Sequence, residues 1–264
     1  MIITSANRLG HVIVVILLTT LLGSCSRSVN IAPANSDRAP PAIHKITIAY
    51  ANSYLVTQGR NSFLFDAGLE RDGPELAERI RTLGVEPQAL RAIIVSHGHH
   101  DHAGGAAYLN RVYGVPVIVG RGDAGMLARD RNDPICPQGF FAQRRFATDQ
   151  AGTYRGVRAA IEIEQPTALS TLTGIDGRVV PLPGHTPGSL VLVVDRYAFV
   201  GDLLRGGIFT PRRATTHFYM CDLEDNRRDL AALLRTIAPN AQSILTGHFG
   251  PVSRASVQRL ANRS

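Results

Sequence analysis

Residues 96–105 read SHGHHDHAGG and come directly after the apolar run Ala92–Val95 (AIIV). Six neighbouring positions within them carry five side chains that can bind metal: His97, His99, His100, Asp101 and His102. Imidazoles packed this closely raise each other's cost of protonation and add little to an apolar core, whereas divalent transition metals prefer neutral imidazoles and carboxylates. We therefore predict a metal site here, built on an HxHxDH pattern from which His100 is left over.

Two metal ions suit this pattern better than one. A catalytic zinc ion typically binds three protein ligands and keeps one position open, so four neighbouring ligands exceed the needs of a single site. Further ligands occur later in the chain, each beside a glycine and after an apolar run: His185 in PLPGHTPGS, Asp202 in FVGDLL and His248 in LTGHFGP. We expect each of them on a tight loop at the end of a strand.

The HxHxDH pattern, followed in order by a histidine, an aspartate and a histidine, resembles the metallo-β-lactamase superfamily in its broad hydrolase branch, over roughly residues 43–263. The resemblance implies an α/β fold, the four-layer αβ/βα sandwich, with the metals at the edge where the two sheets meet. It implies two metal sites with seven ligands: His97, His99 and His185 for one ion, Asp101, His102 and His248 for the other, and Asp202 as the bridge between them. Zinc is expected, and iron or manganese also suit a site that includes carboxylates.

The resemblance also implies an enzyme. We expect a metallo-hydrolase in which a metal-bridging hydroxide attacks a small ester, thioester, lactone or amide, with Asp101 orienting that hydroxide as well as binding metal. A bridging Asp202 resembles the thioesterase, lactonase and phosphodiesterase branches rather than the antibiotic-degrading enzymes. The motif HTPGS, with Ser189, differs from the HTxGH that is common in glyoxalase II-like enzymes, so the sequence does not identify the substrate.

Three alternatives stay open at this point. The first is β-lactamase or phosphodiesterase activity on the same fold, and the second is a non-heme iron, sulfur-metabolising oxidoreductase. The third is a non-catalytic, metal-binding lipoprotein. Metal analysis and a screen of substrates distinguish these classes, because iron with oxygen consumption excludes the hydrolase and a metal-loaded protein without turnover favours the binding protein.

The first 24 residues are typical of a bacterial secretory signal peptide. Arg8 precedes the apolar run Val12–Leu22, whose 11 residues are fewer than the roughly 20 of a membrane-spanning helix. Gly23–Ser24 before Cys25 resembles the lipobox of bacterial lipoproteins, in which the cysteine is lipid-modified and becomes the new N-terminus. An ordinary signal peptide with an incidental cysteine, or an uncleaved anchor, is the alternative.

The order of segments follows from that interpretation. We predict a signal peptide at residues 1–24, a lipidated cysteine with a polar tether at 25–41, and one metallo-β-lactamase-fold hydrolase domain at 42–264. The protein is expected to be exported and attached by lipid on Cys25 to the periplasmic side of a membrane, and Ser26 after the cysteine favours the outer membrane. Cys136 and Cys221 could pair in such an oxidising compartment or stay as thiols, and the sequence leaves this open.

The charge of the chain argues against a nucleic-acid partner. The formal net charge is +7, yet no block of five or six like charges occurs. We therefore expect a small-molecule substrate, a membrane partner through the lipid, and no nucleic acid. The sequence does not indicate the oligomeric state.

Hydrophobic periodicity predicts strands and helices in two similar halves. In the first half, strands are predicted at 43–50, 53–58, 62–66, 91–96 and 115–119, and helices at 73–83 and 103–113. In the second half, strands are predicted at 178–182, 189–194, 197–200 and 242–246, and helices at 222–237 and 253–262. Between them, residues 120–174 suggest only a short helix at 123–129 and a strand at 157–164, with no clear period through 132–150.

Four polar residues outside the ligand set keep two interpretations each. Asp66 could support the metal loop or form an Asx turn before Gly68. His217 and Tyr219 could donate a proton or line the pocket, and could equally be core or loop residues. His100 is expected to be an exposed loop residue or a hydrogen-bond donor behind the ligands.

Overall fold

Three antiparallel strands open the described part of the chain, as the alternation of apolar and polar residues predicts. They are β1 (Ala42–Ile48), β2 (Ala51–Gln58) and β3 (Asn61–Phe65), paired in that order. The computed structural model describes residues 39–262. The predicted signal peptide, the lipidation site at Cys25 and the tether up to residue 38 lie outside the described residues, and these assignments stay predictions.

Helices and parallel strands then alternate through the first half. The elements are α1 (Gly73–Thr82), β4 (Ile93–Ile94), α2 (His100–Ala103), α3 (Ala106–Tyr113), β5 (Val117–Gly120), α4 (Arg121–Arg129), α5 (Gly139–Gln150) and β6 (Ile161–Ile163). Strands β3, β4, β5 and β6 are parallel neighbours, and the first sheet has the order β1-β2-β3-β4-β5-β6. The predicted strand, helix, strand crossover is confirmed.

Helix α5 occupies much of the segment 132–150, where the sequence shows no clear period and predicts no element. Of its 12 residues only Ala142 is buried, while Phe140 and Phe141 are 67% and 68% exposed. A helix that buries so little has no apolar stripe, and a search for helical periodicity does not detect it.

The second half forms a second sheet with helices on its outer face. Its elements are β7 (Thr167–Ala168), α6 (Leu169–Thr173), β8 (Arg178–Pro181), β9 (Leu190–Val194), β10 (Tyr197–Phe199), β11 (Arg205–Gly206), β12 (Ala214–Thr215), α7 (Leu223–Ala232), a π-helical turn (Leu233–Ile237), β13 (Ser243–Leu245), β14 (Val252–Ser253) and α8 (Arg254–Ala261). The second sheet has the order β14-β13-β10-β9-β8-β7, and β11 pairs only with β12. The carboxylate of Asp222 accepts from the backbone N–H groups of Glu224 and Asp225 and thereby caps the start of α7.

Three apolar clusters show how the layers stack. The first contains Leu76 and Leu109 and lies between the first sheet and its helices. The second joins the two sheets, with Phe65 of β3 packing against Phe199 of β10. The third contains Leu230 and lies between the second sheet and the helices after it. The layers therefore run helix, sheet, sheet, helix, which is the predicted αβ/βα sandwich.

The strand before the metal loop is shorter than predicted. Strand β4 covers only Ile93–Ile94, because Ser96 turns its backbone N–H toward the Asp66 carboxylate (2.6 Å) instead of a strand partner. Among residues 39–262, no helix combines the length and the apolar character needed to cross a membrane.

Candidate metal centre

The predicted ligands follow the carboxyl ends of strands from both sheets. His97, His99, Asp101 and His102 come after β4 of the first sheet, in the loop and in the short helix α2. His185, Asp202 and His248 follow β8, β10 and β13 of the second sheet. Because the two sheets pack face to face, these loops meet at one edge of the sandwich, where ligand sites of α/β folds are usually found.

Three histidines form the first group. The ring centroids of His97 and His99 lie 4.6 Å apart, and so do those of His97 and His185. His185 Nε2 lies 3.2 Å from His99 Nδ1. One ring nitrogen from each residue falls within 4.8 Å of the others, which is close enough for one ion to bind all three.

Asp101, His102 and His248 form the second group. His248 Nε2 lies 3.4 Å from Asp101 Oδ2 and 3.3 Å from His102 Nε2, and the ligand atoms of all three again fit within 4.8 Å. This set matches the second predicted site residue for residue.

Asp202 lies between the groups. Its Oδ2 atom is 3.2 Å from His102 Nε2 and 3.3 Å from His248 Nε2. The same oxygen is 3.8 Å from His97 Nε2 and 4.0 Å from His185 Nε2. The structure therefore brings all seven predicted ligands into one cluster with Asp202 in the bridging position, and the binding of metal by them stays a prediction.

Glycine allows Asp202 and His102 to approach the loop of His248. A Cβ atom on Gly247 would lie 2.4 Å from Asp202 Oδ1 and 2.4 Å from His102 Cε1. Any side chain at this position would push the bridging carboxylate or an imidazole out of place.

Unsatisfied buried atoms show that the cluster suits a metal ion. His97 Nε2 and Asp202 Oδ1 are buried and have no hydrogen-bond partner among the described residues. Buried polar atoms are nearly always paired, because an unpaired one loses its hydration without compensation. A cation held by imidazole nitrogens and a carboxylate would satisfy such atoms, and this donor set is typical of zinc.

Burial keeps the first group neutral. Desolvation, reinforced by neighbouring imidazoles, holds the pKa of His97 and His185 well below the ordinary histidine value. Desolvation also lowers the pKa of His99 to about 4. At neutral pH these imidazoles carry no charge, which is the form that binds metal.

The second group behaves in the opposite way. Burial alone would lower the pKa of His102 and His248, but the carboxylates of Asp202 and Asp101 outweigh it. The pKa of His102 is held well above its ordinary value, and that of His248 is raised to about 10. Burial likewise opposes charge on the two aspartates, yet these imidazoles hold the pKa of both carboxyls well below the ordinary range. Binding a metal ion here must therefore displace protons.

Asp66 supports the metal loop, which decides between its two predicted interpretations. Its Oδ2 atom lies 2.9 Å from His102 Nδ1 and accepts the Ser96 hydroxyl at 2.9 Å. A carboxylate on the far nitrogen of a ligating imidazole sets the orientation of the ring and leaves the other nitrogen for metal.

Asp123 is a supporting residue that the sequence did not indicate. Its buried carboxylate accepts the backbone N–H groups of Gly98 and Gly188, both at 2.8 Å, and the Thr186 hydroxyl at 2.7 Å. Gly98 belongs to the HxHxDH loop, whereas Thr186 and Gly188 follow His185. Asp123 thus holds the two loops of the first group together. Asp123 lies in α4, and no spacing pattern in the sequence indicates that it belongs to the site.

His217 is an eighth member of the cluster. Its Nε2 atom lies 3.0 Å from Asp202 Oδ2, and its ring stacks on that of His248 with centroids 5.4 Å apart. Its Nδ1 atom is 3.2 Å from the backbone N–H of Tyr219. The structure therefore places His217 at the site, in agreement with the pocket-lining alternative. His100 instead lies beside Asn132, with His100 Nδ1 3.0 Å from the amide nitrogen.

A cavity of about 270 Å³ opens onto the cluster. Asp101, Asp202 and His248 line its floor, and Tyr50, Asn132, Ile135, Arg145, Phe218 and Tyr219 are among the residues of its walls. Cys136 and Cys221 form a disulfide between two of the wall segments, with Cα atoms 4.8 Å apart. The pairing that the sequence left open is thus present next to the cavity.

Comparisons with known proteins agree with this geometry. A sequence profile of the metallo-beta-lactamase superfamily matches residues 46–248. Hydroxyacylglutathione hydrolase of Anaeromyxobacter dehalogenans is 32% identical over 153 residues, which cover 58% of this chain and 45% of the relative. The chain thus spans about half the length of that relative. The probable metallo-hydrolase YflN of Bacillus subtilis is 24% identical over 248 residues, which cover 85% of this chain and 92% of the relative.

A solved structure gives a similar result. A metallo-beta-lactamase of Cronobacter sakazakii with a HARLDQ motif superposes with a TM-score of 0.60 at 22% identity, covering 84% of this chain and 90% of that one. At this identity the likeness shows the fold.

Proposed function

This chain belongs to the metallo-beta-lactamase superfamily, and we propose that it hydrolyses a small ester, thioester, lactone or amide. The reaction would use two divalent metal ions, with zinc as the expected metal. The observation that carries this proposal is the clustering of seven candidate ligand side chains, with Asp202 between the two groups, at the floor of a cavity of about 270 Å³. That volume suits a small reacting group.

The chain offers one set of ligands to each ion. His97, His99 and His185 would hold the first, Asp101, His102 and His248 the second, and Asp202 would contact both. Bound there, the metal ions would supply Lewis-acid polarisation of the substrate carbonyl and a lowered pKa for a water molecule.

Residues around the cavity supply the remaining roles. Asp101 stays ionised, because nearby imidazoles hold its pKa below the usual carboxyl range against the effect of burial. Its carboxylate can accept a hydrogen bond from a water molecule and orient that water toward the carbonyl carbon. Burial, with the charge of Asp101, raises the pKa of Tyr50 to about 12. Tyr50 therefore stays protonated and can donate a hydrogen bond to the substrate.

Relatives support a carbonyl substrate. A relative with 32% identity is named hydroxyacylglutathione hydrolase, which makes a thioester the first candidate. The bridging position of Asp202 supports the same branch. A β-lactam is the second candidate, since the superposed Cronobacter protein carries the β-lactamase name.

A substrate screen with metal analysis tests the proposal. The full-length protein, loaded with zinc, is expected to turn over at least one compound from a panel of esters, thioesters, lactones and amides, with β-lactams and phosphodiesters included. Chelation should abolish the activity and zinc should restore it. We expect Asp101→Ala and His185→Ala to lose turnover while staying folded by circular dichroism, because Asp101 lies in the short helix α2 and His185 on a loop, and neither belongs to the apolar clusters of the core.

Other results would contradict the proposal. Activity that survives both substitutions would remove the metal centre from the reaction. Bound iron together with oxygen consumption would indicate an oxidoreductase. Full zinc occupancy without turnover of any compound would favour a non-catalytic metal-binding protein.

We also propose that the protein is exported and attached to a membrane through lipid on Cys25. The Cys136–Cys221 disulfide supports an oxidising compartment, because disulfides persist outside the cytosol. Labelling with a fatty-acid analogue in a bacterial host should mark the wild-type protein and leave Cys25→Ala unlabelled. Equal labelling of both proteins would contradict attachment at this cysteine.

A further inference from the structure

We propose that the substrate carries a carboxylate on a short carbon chain and that this anionic end binds in an arginine-lined cleft beside the metal cavity. The inference rests on the proposed function and specifies the substrate class for the same site.

The cleft is continuous with the metal cavity. It encloses about 830 Å³, and four residues line both spaces: Tyr50, His100, Arg145 and Asp149. A molecule with its reacting group over Asp202 can therefore extend past Arg145 into the cleft. A substrate too long for the cavity of about 270 Å³ has this continuous route into the cleft.

Positive charge exceeds negative charge on the walls of the cleft. Its charged residues, apart from His100, are the arginines Arg71, Arg111, Arg145 and Arg155 and the carboxylates Glu70 and Asp149. Both carboxylates are already engaged by arginines. Arg145 binds Asp149 through two nitrogens, at 2.8 and 3.1 Å. Arg155 contacts Glu70 through its guanidinium, with Nε 3.8 Å from Oε1, and through its backbone N–H, which donates to Oε2 at 2.9 Å.

Two arginines are left to bind a ligand. Arg71 is exposed and reaches only the edge of Asp72, at 3.8 Å. Arg111 is exposed and has no ion pair within residues 39–262. Guanidinium groups bind carboxylates with two parallel hydrogen bonds, so a carboxylate that reaches either of these arginines would be held by charge and by geometry.

The rest of the cleft suits a carbon chain. Leu69, Pro74 and Tyr108 contribute apolar surface. Tyr108 and Arg111 are three positions apart in helix α3 and therefore lie on the same face. That face presents an aromatic ring followed by a cation, which matches a short chain ending in a carboxylate.

A matched pair of substrates tests the inference. One is the S-acetyl thioester of 3-mercaptopropionate, and the other is the corresponding 3-mercaptopropionamide, which has the same shape without the charge. For the zinc-loaded wild-type protein we expect kcat/KM to be about tenfold higher with the carboxylate, the size expected for a charge-assisted hydrogen bond. The preference should fall in 0.5 M NaCl, because salt screens exposed charges.

Arginine variants test which residues cause the preference for the carboxylate substrate. The double variant Arg71→Gln/Arg111→Gln should reduce the preference to about twofold or less, and Arg111→Glu should reverse it, since a like charge repels the carboxylate. Arg259→Gln is the matched control, because Arg259 is exposed and lines neither space. It should keep the wild-type preference.

A binding measurement separates this inference from the proposed function. Calorimetry with glutarate as the probe should give a dissociation constant that rises at least about fivefold in the Arg71→Gln/Arg111→Gln variant, a loss in the range of an exposed charge pair. A carboxylate held by metal instead would bind both proteins equally.

The outcomes are distinct. Turnover of both thioesters at equal kcat/KM, with glutarate binding insensitive to the arginines, overturns the inference and leaves the hydrolase proposal standing. Arginine-dependent glutarate binding without turnover of either thioester supports the anion site while the hydrolase proposal fails.

Discussion

His217 Nε2 lies 3.0 Å from the Asp202 carboxylate, although His217 is not one of the seven predicted ligands. We expect His217→Ala to lower kcat by about 10- to 100-fold, the usual loss when a partner of a metal ligand is removed. Zinc content should stay near the wild-type value, since the seven ligands remain. Steady-state kinetics and metal analysis give the two readouts. His44→Ala is the control, because His44 lies on β1 away from the cluster, and an unchanged kcat in His217→Ala would show that the contact has no role in turnover.

The two ligand groups predict different proton release on metal binding. With an ordinary histidine pKa near 6.5 as reference, the folded-state pKa of His248 is raised to about 10, so this residue still holds its proton at pH 8. His99, with a pKa lowered to about 4, is neutral at pH 8 and has none to give. Zinc titrated into metal-stripped protein at pH 8 should therefore release at least about one proton.

Calorimetry in buffers of different ionisation enthalpy measures that release. The number of protons should fall in His248→Ala. A binding enthalpy that does not depend on the buffer would show that the second group is neutral before zinc arrives.

Asp123 couples the two loops that carry the first ligand group. Asp123→Ala leaves the N–H groups of Gly98 and Gly188 unpaired in a buried place, which should lower the free energy of unfolding by at least about 2 kcal/mol. Chemical denaturation checks this value. Asp176→Asn, an exposed position, should change it by less than about 0.5 kcal/mol. Equal midpoints for both variants would contradict the coupling role.

At the residue scale, the sequence predicted all seven candidate ligands. It left two interpretations each for Asp66 and His217 and did not indicate Asp123. His97 and Asp101 stand out because their spacing is dense and rare. Asp123 is 25 residues after Gly98 in the chain, and only the fold brings its carboxylate to the Gly98 backbone. The fold likewise places His217 beside Asp202. Spacing along the chain therefore contains no signal for these two residues.

Among the structural elements, the disulfide joins two segments of the cavity wall. It closes a loop of 85 residues, and its loss in Cys136→Ser/Cys221→Ser should lower the free energy of unfolding by about 3–5 kcal/mol. KM should rise as well, because Ile135 and Tyr219 flank the two cysteines along the wall. Denaturation and kinetics with and without reductant check both effects. The reductant should affect the wild type only, and a wild type indifferent to it would contradict this role.

Prediction from the sequence succeeded for elements that bury one side in a regular pattern. Strands β1 and β2 alternate, and α1 buries Leu76 and Ile80, so their periods are visible. Helix α5 buries almost nothing, and the ribbon of β11 and β12 has two residues on each side, too few to show a period. These elements are held by contacts with distant parts of the chain, which no local pattern records.

For the whole molecule, the apolar contact between the two sheets is one of the three buried clusters that stabilise the fold. Phe199 is fully buried there, with its ring 5.4 Å from Tyr54 and 5.5 Å from Phe65. Phe199→Ala should lower the free energy of unfolding by about 3–5 kcal/mol, through lost burial and a residual cavity. Phe209→Ala removes the same side chain at a position that is 96% exposed and should change it by less than about 0.5 kcal/mol.

Chemical denaturation compares the two variants. If Phe199→Ala lowers the free energy of unfolding no more than Phe209→Ala does, the contact between the two sheets does not stabilise the fold as proposed. The stacking of the two sheets followed from the family resemblance rather than from periodicity, because local patterns define strands but not which sheet faces which.

Each ligand group takes residues from both sheets: His185 completes the first, and His248 the second. A metal ion bound by either group would thus connect loops from the two sheets. Removal of zinc would then abolish catalysis and, at the same time, weaken the association of the two sheets. Metal-free copies of the protein would then be cut by proteases more readily than metal-bound copies.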